Sequence, residues 1–234
     1  ERMKIDLPFA EYEGTVVVSR KPSLNPYERQ CVLRAAAGAG GADGDFVLLL
    51  IGLGRSVTAT RLLRVKDIRG DSVDVLDKGG KRAVIPFSKV RPLPEVPSTH
   101  EVIARLAAGK DPDAYLLSKD PAGRTPWSSG WATDACARVG QRAADIFRET
   151  YGTFDRPNPT SSDAHAGTVD LRHLNPHRLR RGWATNLRYL GAEVGEIKEA
   201  LGHAHMATTE RYLGFGAYDT VRLRRFVDKE VVPD

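Results

Sequence analysis

HRLRRGWATNLRYLGAEVGEIKEALGHAHMATTERY, residues 177–212, is the stretch whose reading decides the fold. It opens on an H-x-L-R box, His177 to Arg180, and carries an L-G-H box at Leu201-Gly202-His203. Tyr212 follows nine positions after His203, and Arg180 and His203 are 23 residues apart, room for two short helices and a turn. Brought together by such a hairpin, two histidines, an arginine and a tyrosine can hold a phosphate, neutralise it and attack it.

At these spacings the residues resemble the second signature of the tyrosine recombinases, the phage-integrase family of DNA strand-exchange enzymes. The likeness takes in both boxes, Ala184-Thr185 after the first and Thr208-Thr209 ahead of the tyrosine. It implies a mainly α fold with a small antiparallel β-sheet (α+β). It also implies double-stranded DNA as substrate and a homotetramer on paired DNA sites, with accessory DNA-bending proteins as further partners.

Composition agrees with a DNA-acting globular domain. The chain has 234 residues, 41% apolar and 28% charged, with a net charge of +5. Residues 171–229 hold eleven Lys/Arg against six Asp/Glu, which equals the whole excess, so the basic surface coincides with the candidate site. The longest apolar run, Phe46 to Ile51, is too short to span a bilayer. With acidic Glu1 and Asp6 in place of a basic leader, a cytoplasmic, nucleoid-associated protein without membrane contact is expected. Cys31 and Cys136, far apart and both in helical patterns, read as reduced core thiols.

Working back along the chain, residues 1–20 read as a linker or lead-in, with Thr15-Val16-Val17-Val18 at most a short strand. The catalytic domain occupies 21–234, and the helical DNA-clamping domain that family members usually carry ahead of it is absent from these residues. Asn25-Pro26-Tyr27-Glu28 caps a helix running to Ala37, and the glycine cluster Gly38 to Gly44 reads as a flexible turn. That cluster lacks the Gly-Lys-Ser/Thr ending of a phosphate loop. Phe46–Leu53 reads as a buried helix, Thr58–Lys66 as the next one, and Ser72–Leu76 with Arg82–Phe87 as a β-hairpin. Ser98-Thr99-His100-Glu101 caps a further helix, and Trp127–Tyr151 is a long amphipathic one. Residues 152–170 form a polar loop, Pro176 opens the helix of the H-x-L-R box, and Tyr218–Val227 closes the chain as a basic helix.

Gly52-Leu53-Gly54-Arg55 resembles the family's first signature, which delivers the first catalytic arginine; this chain carries one extra residue before Asp67. The bland alternative for Arg55 is an arginine capping a neighbouring helix end. By the same resemblance the hairpin-turn lysine reaches the scissile phosphate; Lys78 matches best and Lys81 is second. Arg55, Lys78, His177, Arg180, His203 and Tyr212 are thus the candidate catalytic set. The arginines would clamp non-bridging oxygens with His203 adding a donor, each such donor worth about 3 kcal/mol in the transition state. Tyr212 would attack with His177 as base and Lys78 as acid, leaving a 3′-phosphotyrosyl ester and needing neither cofactor nor metal.

Three other readings stay in view. The histidines His173/His177 and His203/His205 could suggest zinc, but Pro176 breaks the first pair's helix face and no H-E-x-x-H occurs. A catalytically idle DNA-binding module of the same fold would keep the charge and lose the chemistry. A type IB topoisomerase shares the chemistry but lacks the compact L-G-H to tyrosine spacing.

Overall fold

The computed structural model describes residues 23–76, 82–152, 170–202 and residue 209. At its centre lies α2 (Gly41–Leu53), whose Phe46–Ile51 run is apolar on every side and buried throughout. A helix with no polar face has to be surrounded. Four helices do so: α1 (Pro26–Ala39), α4 (Thr99–Ala107), α5 (Ser129–Tyr151) and α6 (Pro176–Tyr189). The short helices α3 (Val57–Arg61) and α7 (Val194–Leu201) flank them.

Local sequence chemistry sets the helix starts. Asn25 and Glu28 exchange side-chain and backbone bonds of 2.8 Å each at the head of α1. Ser98 and Glu101 do the same for α4, at 2.7 and 3.1 Å. On α5, Ala132, Ala135, Cys136, Val139, Ala143 and Phe147 recur at helical spacing and are buried against α1 and α2. Both cysteines are free and buried, as the helical patterns suggested.

A three-stranded antiparallel sheet, β1 (Ile68–Arg69), β2 (Ser72–Leu76) and β3 (Arg82–Pro86), lies beside the helices in that order. Val73 pairs with Ile85 and Val75 with Ala83; Val73, Val75 and Ile85 are the buried face. The fold is therefore mainly helical with one small antiparallel sheet, the class expected.

Two local expectations are corrected. The glycine cluster is no flexible turn: α1 runs on to Ala39 and α2 begins at Gly41, so Gly40 (φ +59°) is the only break. Packing explains this, because a Cβ on Gly44 would lie 2.2 Å from the Ala36 carbonyl oxygen, so bare glycine lets the two helices close up. The predicted helix over 58–66 is shorter, α3 being followed by a 3-10 turn at Val65–Asp67 in which the Asp67 carboxylate accepts the Arg64 amide at 2.8 Å. The short strands β1 and the predicted hairpin together make the sheet, β1 having too few residues to show a period. Thr15–Val18, the loop 153–169 and Tyr218–Val227 lie outside the described residues.

Candidate active site

The first turn of α6 is built before any functional side chain is placed. Asn175 caps it by accepting the Arg178 amide at 3.1 Å, and Pro176 supplies the preset φ of a first helical residue. Arg178 reaches backwards, its Nη1 donating to the carbonyls of Asp170 (3.0 Å) and His173 (3.3 Å). Asp170 in turn accepts from Arg172 Nε at 2.9 Å and bonds His173 Nδ1 at 2.8 Å. The Arg172 guanidinium, with help from His173, holds the Asp170 carboxyl down at about 2 against a smaller opposing push from burial. Gly140 of α5 makes room for this turn: a Cβ there would lie 2.3 Å from the Leu171 carbonyl oxygen.

On the helix so anchored, His177 is exposed and Arg180, one turn on, is half-buried. Helices α6 and α7 close a second small core from Trp183, Ala184, Ile197 and Leu201. α7 ends at Gly202, whose φ of +69° is the left-handed cap that glycine adopts without strain.

Arg55 comes from the first third of the chain. α2 stops at Gly54 (φ +62°), and α3 starts at its cap Ser56, so Arg55 sits in the single-residue link between them. Gly54 lies directly on the Trp183 ring, where a Cβ would come within 2.1 Å of Cδ2. This contact seats the link against α6, and the Arg55 side chain is completely buried.

Both arginines then meet one helix end. Arg55 Nη1 donates to the Ala200 carbonyl and Arg180 Nη2 to the Leu201 carbonyl. The last carbonyls of a helix have no intrahelical partner and carry its partial negative charge, which offsets two cations brought together. The bond from Arg55 is the helix-end cap of the bland reading. A guanidinium has five N–H donors, so such a cap uses one of them and is compatible with a second role.

Of the six candidates, the structure thus brings Arg55 and Arg180 to adjacent carbonyls and places His177 on the same helix as Arg180. Lys78, His203 and Tyr212 lie outside the described residues, as does Lys81. Among the described residues no cluster of His, Cys, Asp and Glu could hold a metal ion, and no helix is long and apolar enough to cross a membrane.

The sequence signature of the phage integrase family matches residues 46–215, which include Arg55, the H-x-L-R helix and the arginine-capped end of α7. The chain belongs to the phage integrase family. The tyrosine recombinase XerC of Rhodospirillum centenum is 30% identical over 182 residues, covering 73% of this chain and 41% of that protein. The tyrosine recombinase XerA of Thermococcus kodakarensis is 28% identical over 170 residues, 73% of this chain and 50% of its own length. This phage integrase chain spans about half the length of the curated relatives it matches. In fold it is similar to the crystal structure of XerA recombinase, with a TM-score of 0.59 at 19% identity over 91% of this chain and 66% of that one.

Two features of this phage integrase chain escaped sequence reasoning. The Gly54–Trp183 approach pairs residues from opposite halves of the chain, and only the glycine had a visible signal. Arg178, inside the H-x-L-R box, reads as a variable position, yet it ties the helix start to Asp170 and His173.

Proposed function

We propose that this chain is the catalytic domain of a site-specific tyrosine recombinase that cleaves and rejoins double-stranded DNA through a 3′-phosphotyrosyl intermediate. The observation that carries the reading is the meeting of Arg55 and Arg180 at one helix end, immediately ahead of Gly202-His203. Two permanently charged forks held side by side suit the non-bridging oxygens of one phosphodiester. In this reading His203 adds a third donor and Tyr212 Oη attacks phosphorus, its proton passing to His177. The bond to the 5′-oxygen breaks, and Lys78 protonates that oxygen as it leaves. The ester to Tyr212 keeps the bond energy for rejoining, so neither ATP nor a metal enters the step. Residues 21–234 serve as the catalytic domain and 1–20 as its lead-in, working as a homotetramer on paired sites in the nucleoid.

The test is a nicked suicide duplex carrying the cognate site, run in chelator without ATP and resolved under denaturing conditions. The expected result is a denaturation-resistant protein–DNA adduct that maps to Tyr212 and vanishes in Tyr212→Phe while DNA binding persists. Cleavage that needs a divalent metal, or that proceeds in the Phe variant, would refute it. Binding without any adduct would favour the idle module instead.

A further inference from the structure

Helix α6 begins against its own electrostatics. The first turns of α1, α2, α4 and α7 carry Glu28, Asp43, Glu101 and Glu196. That of α6 has no acidic residue, and the helix opens on the basic run Arg178, Arg180 and Arg181. A helix N-terminus is partially positive and its first amides lack intrahelical partners, so cations placed there loosen it. His177 lies in this same turn and is exposed. A turn that keeps its cations for a phosphate has to be secured by other means.

One side chain secures it. Arg178 is half-buried and turns back from α6, its Nη1 donating to the carbonyls of Asp170 at 3.0 Å and His173 at 3.3 Å. These are the cap and the last residue of the 3-10 turn Leu171–His173. That turn is itself fixed. Leu171 and Leu174 are buried in the main core, and the Asp170 carboxylate accepts the Arg172 amide at 3.0 Å. Arg178 therefore ties the first turn of α6 to a part of the chain already anchored on α5. Its neighbour His177 is held by the same bonds, whereas Arg180 has a separate tie, to the Leu201 carbonyl.

We propose that Arg178 is a positioning residue for His177. By fastening the start of α6 to the carbonyls of Asp170 and His173, it holds the imidazole in the place from which it acts as base. This rests on the recombinase reading given above. The competing role for an arginine here is a direct contact with a DNA phosphate, and it makes different predictions. A phosphate contact works through affinity and salt dependence, and it works whether or not His177 is present.

The test is single-turnover adduct formation by the full 234-residue chain on the nicked suicide duplex, with protein in excess. A reacting group misplaced by about 1 Å can lose about 100-fold in rate. Arg178→Met should accordingly slow the step at least about ten-fold, with DNA affinity and its salt dependence unchanged. In a His177→Ala background the same change should cost less than about two-fold, because the group it positions is gone. Arg178→Lys keeps a donor for these carbonyls and should recover most of the rate while His177 is present; it serves for the same comparison if Arg178→Met does not fold. Amide hydrogen exchange over residues 177–179 should quicken in Arg178→Met, with that of α5 unchanged.

Equal slowing in both backgrounds would overturn the proposal. So would a salt slope reduced by about one, an unchanged cleavage rate, or unchanged exchange at the start of α6. No adduct from the unsubstituted chain would refute the recombinase reading and this role with it. An adduct accompanied by any of the preceding results would refute this role alone.

Discussion

Gly54→Ala is the sharpest perturbation of the arginine pair that leaves both arginines in place. Two penalties act at Gly54. Its φ of +62° is left-handed, a conformation that costs an alanine about 1–2 kcal/mol. The added Cβ would also stand 2.1, 2.3 and 2.7 Å from Cδ2, Cε3 and Cε2 of Trp183. That ring is rigid and 9% exposed, so it cannot swing aside, and overpacking of this kind costs about 1–3 kcal/mol. The total of about 2–5 kcal/mol is a large part of an ordinary domain's stability. In a chain of this size it corresponds to a fall in melting temperature of at least about 4 °C. Gly70→Ala is the control, because its φ is +57° and nothing lies within 4 Å of the added Cβ. It bears the backbone penalty alone, so the difference between the two variants isolates the clash. Trp183→Leu in the Gly54→Ala background should recover part of that difference. Equal melting temperatures for Gly54→Ala and Gly70→Ala, by calorimetry or circular dichroism, would refute the claim that the Trp183 contact seats Arg55.

Asp45 and Arg105 form a two-pronged pair at 2.9 and 2.7 Å, but their side chains are 5% and 55% exposed respectively. Arg105→Ala should therefore destabilise by about 2 kcal/mol or more by stranding a buried carboxylate, and Asp45→Ala by less, since the guanidinium returns to water; urea titrations that reverse this order would refute it. Asp170 is depressed to about 2, so its contribution is fully present above the ordinary carboxylate range and is lost as pH falls from about 4 to about 2. Asp170→Asn should flatten that part of the stability–pH curve, and an unchanged acid limb would show that the clamp before α6 contributes nothing. Burial pushes the Cys31 and Cys136 thiols up to about 11 and about 12, so neither should react with a disulfide reagent in the native protein at pH 8. Both should react on unfolding, and rapid native labelling would place a thiol at the surface. Lys78→Ala should slow DNA cleavage with little change in affinity, and a 5′-bridging sulfur, which leaves without a proton, should restore the rate. Rescue of Lys81→Ala instead would move the acid to Lys81.

What the sequence determined by itself is whatever a local signal can carry. The capping boxes at Asn25 and Ser98, Pro176 behind its cap, the apolar run of α2 and the period of α5 each arise from interactions within a few residues, so each is readable in order. The hairpin was legible for the same reason, and the boxes around Arg180 and His203 placed the chain in its family. Local rules also misled where packing overruled them. Glycines 38–44 look like a flexible turn, but Gly44 is there so that α2 can press on the Ala36 carbonyl.

Tertiary structure alone decided what lies between residues far apart in the chain. Arg55 and Ala200 are separated by 145 positions, and nothing near either one announces that they will bond. Arg180 and Leu201, 21 positions apart, bond only because α6 and α7 pack on one another. The physical reason is the same in both cases. Burial of a charge is a property of everything that surrounds it, and those surroundings exist only after the helices have packed.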